Sequence, residues 1–143
     1  MQDPSTPHEW RGVAEARKID ASSLHGDGRT LAALYFYGFA VECYAKALLA
    51  QLPRYQSKMK QSHNLIELLE LGGVPRTSLS TELRRTAEIR DVSLRYQSEL
   101  PSGFDLDEIK RMQRLMHTVD KRVQRMVDRK LRRTRIREDR SRR

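Results

Sequence analysis

Apolar residues in this chain recur at steps of three and four, and glycine and proline are few enough to mark where those runs stop. That period builds amphipathic helices, and no stretch alternates apolar and polar residues as a half-buried strand would. The most regular run is Ile109, Met112, Met116, Val119, Val123 and Met126, the seam of a helix packed lengthwise on another. Asp105, Asp107 and Glu108 open that helix, where the positive end of the helix dipole favours carboxylates. The pattern fades after Leu131. Residues 132–143 hold one apolar residue, Ile136, and are expected to be a disordered, Arg-rich tail.

Four more helices are expected upstream. The first runs from Pro7 to about Leu24, opened by the capping box Thr6-Pro7-His8-Glu9, with Trp10, Val13, Ala14, Ala21 and Leu24 on one face. His25-Gly26-Asp27-Gly28 is a turn. The second runs from about Arg29 to Leu52, ahead of Pro53, and is apolar on most sides, which suits the middle of a bundle. Gly38 within it costs roughly 1 kcal/mol relative to Ala and points to close approach of a neighbouring helix. A short third helix, capped by Ser62, carries Leu65, Ile66, Leu68 and Leu69 and stops at Gly72-Gly73. A fourth starts near Ser78 or Ser80 and reaches about Tyr96. The result is an all-α, up-and-down bundle of four to five helices over residues 7–131, followed by the tail 132–143.

A length of 143 residues suits one domain that is stable without staples. The lone Cys43 cannot close an internal disulfide, and Met1–Pro7 lacks the apolar segment of a secretory signal. The most apolar run, Leu31–Val41, ends at Glu42 and falls short of the about 20 residues a bilayer requires. A cytoplasmic protein with no membrane association is expected.

The charge is segregated. Lys121–Arg143 holds twelve Lys or Arg against three Asp or Glu, the whole net charge of +9, while residues 1–120 carry sixteen of each sign. Such a tail attracts polyanions, chiefly RNA or DNA, with an affinity that falls steeply with salt; the alternative is a solvated end that aids solubility. Lys130, Arg132, Arg133, Arg135 and Arg137 are the candidate nucleic-acid contacts.

One cation interrupts an apolar stripe. Leu83, Ala87, Arg90 and Leu94 fall at steps of four, three and four. A guanidinium there must be paired, sit at a protein–protein seam or face a polyanion. It either binds a phosphate and stabilises its developing charge or pairs with a carboxylate such as Glu42. Glu42 and Lys46 are four apart in the order that favours a helical ion pair, and Glu42 is also expected to meet a cation from another helix. His63 sits at a helix start as a local hydrogen-bonding residue. His8, His25 and His117 share no ligand spacing with Cys43, so no metal site is expected, and no cofactor motif is present: neither a phosphate loop nor a nucleophile elbow occurs. Tyr35, Phe36, Tyr37 and Phe39 spread around the second helix as core and dimer contacts.

Asp20-Ala-Ser-Ser-Leu24, Gly28-Arg-Thr30 and Tyr37-Gly-Phe-Ala-Val-Glu-Cys-Tyr-Ala-Lys-Ala-Leu-Leu49, followed by Ser62-His-Asn-Leu-Ile-Glu-Leu-Leu69 and Leu94-Arg-Tyr96, resemble the HEPN superfamily in that order. The resemblance covers roughly His8 to Leu131. It implies a helical bundle that pairs with its own copy. Many relatives are metal-independent ribonucleases, several of them toxins or antiviral defence effectors; others lack the catalytic motif and bind, regulate or scaffold. The motif is Arg, four to six residues, then His, at the dimer seam. Arg90 matches the Arg, but positions 95–97 are Arg95, Tyr96 and Gln97. His serves RNA cleavage because its pKa lies near neutrality, whereas Arg cannot release its proton at physiological pH. Arg95 could stabilise charge. Tyr96 could donate a hydrogen bond or act as a weak acid, though a packed aromatic is the plainer expectation. Arg90, Arg95 and Tyr96 are therefore the catalytic candidates, with the motif His missing. Two functions stay open: an RNA-directed protein that cuts or grips RNA at a homodimer seam, and a non-catalytic scaffold or regulatory subunit beside a protein partner such as a nucleotidyltransferase.

Overall fold

The computed structural model describes residues 2–55, 61–89, 96–100, 104 and 107–143. Its elements are all helical: α1 (Pro7–Gly26), α2 (Thr30–Leu49), α3 (Leu65–Leu71), a 3-10 turn (Arg76–Ser78), α4 (Thr81–Ile89) and α5 (Asp107–Ser141). The expected all-α bundle is what forms.

Local chemistry sets most boundaries. The Thr6 hydroxyl accepts from the Glu9 amide at 3.1 Å, and the Glu9 carboxylate accepts from the Ser5 amide at 3.0 Å, closing both ends of the first turn. Gly28, at φ +77°, turns the chain between α1 and α2 in a conformation L side chains rarely adopt. α2 stops at Leu49 rather than Leu52, since the residue before Pro53 is pushed out of helical geometry. α3 is capped by Asn64 rather than Ser62: the Asn64 carbonyl accepts from the Glu67 amide at 3.1 Å, while the Ser62 hydroxyl is taken up locally by the Asn64 amide. Ser80 caps α4, accepting from the Leu83 amide at 3.2 Å.

α2 is the central helix. Of its 20 residues, all from Ala40 to Leu49 are buried. α1 lies antiparallel against it, since Glu15 meets Tyr44 and Trp10 meets Lys46. α5 runs parallel to it: Gln113 donates to the Tyr37 hydroxyl at 3.0 Å, and seven residues along both helices Asp120 faces Tyr44. α3 packs on α2, and α4 bridges α3 and α5. The seam Ile109, Met112, Met116, Val119 and Val123 is buried as expected, and Met126 is partly buried. Among the described residues, no helix is long and apolar enough to cross a membrane.

The C-terminal segment departs from expectation. Residues 132–143 were expected to be disordered, yet α5 continues unbroken to Ser141. Two effects support the extension. Arg is a good helix former. Arg140 lies in the last turn, where the negative end of the dipole attracts a cation. Low apolar content removes the tail from the core without removing its helix. At 1.5 Å per residue, α5 is about 52 Å long against about 30 Å for α1 or α2, so it leaves the bundle as an arm.

Candidate nucleic-acid interface

The arm begins where burial ends. Val123 is fully buried, Met126 and Val127 are partly buried, and every residue from Asp128 to Arg143 is exposed. Among the described residues, no Lys or Arg from 121 to 143 lies within ion-pair distance of a carboxylate. Arg122 is tied down, donating to the Gly73 carbonyl on the loop after α3. Lys130, Arg132, Arg133, Arg135 and Arg137 are all exposed on this arm, but they do not share a face. At 3.6 residues per turn, Lys130, Arg133 and Arg137 fall within about 60° of one another, while Arg132 lies about 100° from Arg133 and Arg135 points further round.

Of the catalytic candidates, Arg90 and Arg95 lie outside the described residues. Before them, Leu83 is partly buried and Ala87 is buried, so the apolar stripe that leads to Arg90 faces the core. Tyr96 is 74% exposed, which corrects the expectation of a packed aromatic. Beside it a cleft of about 800 Å³ opens between the start of α2 and residues 97–100, lined in part by Arg29, Leu31, Tyr35, Phe36, Gln97 and Leu100. Tyr37 is buried, whereas Leu31, Tyr35, Phe36 and Phe39 remain partly exposed along one side of α2.

The ion pair expected at Glu42 and Lys46 is present. Nζ of Lys46 lies 2.9 Å from Oε1 of Glu42, with both side chains almost wholly buried. The same oxygen lies 2.8 Å from Nδ1 of His63, whose ring is half exposed. The cation from beyond α2 is therefore His63 where charged, or a neutral hydrogen-bonding ring. Lys46 also sits 5.2 Å from the centre of the Trp10 ring, and the Trp10 indole donates to the Tyr55 hydroxyl at 2.8 Å. An aromatic face and a carboxylate thus share one buried ammonium.

A second polar group links α1, α2 and α5. The fully buried Tyr44 donates to Glu15, while Arg11 pairs with Asp120 at 3.4 Å. Burial, with the Glu15 hydrogen bond second, pushes the Tyr44 hydroxyl far above its usual pKa. The Tyr44 hydrogen bond holds the Glu15 carboxyl below the usual range, against a smaller opposing effect of burial. Burial raises Tyr55 as well. Both tyrosines stay neutral at physiological pH, Tyr44 donating to Glu15 and Tyr55 accepting from the Trp10 indole. Sequence spacing does not reveal these contacts, since Trp10 and Tyr55 are 45 positions apart, and Glu15 and Tyr44 are 29 apart. Compared with known proteins, the chain matches no family model, no curated protein and no solved structure.

Proposed function

We propose that this chain is a nucleic-acid-binding helical module of HEPN type that holds RNA through its C-terminal arm. The observation that carries this reading is the segregation of charge: a bundle that is neutral through residue 120 continues into a helix end, 121–143, that bears the whole net charge, and from Asp128 onward its nine Lys or Arg are exposed against three carboxylates, with no ion pair between them among the described residues. Unpaired guanidinium groups in water gain most from phosphates, because each contact releases condensed counterions. Arg95, Tyr96 and Gln97 stand where the family motif has His, and none of them accepts a proton near neutrality, so binding without ordinary cleavage is proposed.

Purified protein titrated into labelled RNA at about 50 mM salt, without divalent metal, should bind it and leave it intact. Absence of both binding and cleavage would overturn the reading. Cleavage that disappears in Arg90→Ala would restore the ribonuclease instead. The partly exposed apolar side of α2 favours a second reading, a scaffold that pairs through Leu31, Tyr35, Phe36 and Phe39 with its own copy or a protein partner. Sedimentation of the pure chain tests the first of these: a dimer that Phe36→Glu converts to monomer supports pairing, and a monomer at all concentrations removes it.

A further inference from the structure

The cations of the arm are not scattered evenly. Arg122, Arg125, Arg129, Arg132, Arg133 and Arg140 follow one another at the steps of a single helix face, interrupted only by Ile136. At 3.6 residues per turn they fall in a sector of about 100°, whose centre lies about 110° from the line of Val119 and Val123 that faces the core. The carboxylates of the same stretch, Asp128, Glu138 and Asp139, all fall outside that sector. The stripe is about 27 Å long and holds six guanidinium groups, from about 1.5 Å apart along the axis at Arg132 and Arg133 to about 10 Å apart at Arg133 and Arg140.

We infer that this stripe is a binding surface for double-stranded nucleic acid, laid along the phosphates of the duplex. This rests on the nucleic-acid reading above and narrows it. A rigid row of cations is best matched by anions already held at fixed spacing, and duplex DNA offers one charge per about 1.7 Å of its axis without being reshaped. A single strand is a flexible coil that must be extended along the rod, at a cost in chain entropy. Proteins that hold single strands offset that cost with aromatic side chains on which bases stack. The arm has none: no Phe, Trp or Tyr occurs after Phe104. Its chemistry recognises the duplex backbone and leaves the bases unread.

The test uses the full chain and three labelled probes of one sequence, about 20 nucleotides per strand: an RNA duplex, a DNA duplex and the single-stranded RNA. The duplexes should bind at least about tenfold more tightly than the single strand, and comparing the two tells which backbone is held better. A stripe variant, Arg125→Gln, Arg129→Gln, Arg132→Gln and Arg140→Gln, should lose about 100-fold or more in duplex affinity and lower the salt slope by about three to four. A variant with the same change in charge outside that sector, Lys130→Gln, Arg135→Gln, Arg137→Gln and Arg142→Gln, should lose much less. All eight side chains are exposed, so the fold should survive, as far-ultraviolet circular dichroism and the melting temperature will report. A single strand bound as tightly as the duplexes would overturn the inference, as would equal losses in the two variants. Failure to bind any of the three probes would instead defeat the nucleic-acid reading beneath it.

Discussion

Lys46 and Glu42 show what one turn of helix can hide. A buried ammonium and a buried carboxylate are each costly alone and tolerable together. Removing the cation in Lys46→Ala leaves Glu42 with His63 as its charged or polar partner, and should cost about 3 kcal/mol in urea denaturation. The double variant Glu42→Leu, Lys46→Met should lie much closer to wild type; a single variant within about 0.5 kcal/mol of wild type would mean the pair is not buried as described. Gly72 is set by close approach, since an added Cβ would sit 3.1 Å from Cβ of Leu48 and 3.2 Å from the Leu68 carbonyl oxygen. Gly72→Ala should therefore destabilise the chain by about 1–3 kcal/mol, measured the same way. Glu15 gives a pH dependence. Its folded pKa lies below the unfolded value, so its contribution is present above that unfolded value and is lost as pH falls through the folded one. Tyr44→Phe removes the main cause, so the fall in melting temperature between about pH 5 and pH 3 should be shallower in that variant. An unchanged slope would assign the acid sensitivity elsewhere. Of these contacts, only Glu42–Lys46 was legible in the sequence, because both residues sit on one helix at a fixed spacing; His63, Trp10, Tyr44 and Tyr55 are brought in by packing between elements.

At the scale of the helix, apolar periodicity located the elements, and capping chemistry moved their ends. Asn64 displaced Ser62 because its carbonyl reaches the Glu67 amide. The seam from Ile109 to Met126 was legible because one face had to be buried. The composition of the arm points to disorder, and the structure makes it helical, because composition reports what can be buried and a helix in water needs no core to be helical. That helix is nonetheless poised. Arg125 and Arg129, Arg129 and Arg133, and Arg133 and Arg137 are like charges four apart, each pair costing about 0.2–0.5 kcal/mol. Neutralising them should tighten the arm. Helical signal at 222 nm should therefore rise when a duplex, or inorganic polyphosphate as a simpler polyanion, is added at low salt. It should also fall when salt is removed with no polyanion present, which leaves the repulsion unscreened. A helical signal indifferent to both salt and polyanion would show that repulsion along the arm is unimportant.

The whole molecule joins a neutral bundle to a charged lever. Tyr44, Glu15, Arg11 and Asp120 tie α5 to α2 and α1, and Arg122 fastens its exit to the loop after α3. The arm is thus aimed by the bundle. The central claim is that the arm, and not the neutral body, grips nucleic acid. Its most direct test is the salt dependence of affinity for one RNA duplex, measured on the full chain and on a chain ending at Val127, which keeps the buried seam. The full chain should show a steep log–log slope, and the shortened chain should lose about 100-fold or more in affinity at about 50 mM salt together with most of that slope. Equal affinity and equal slope for the two chains would contradict the account.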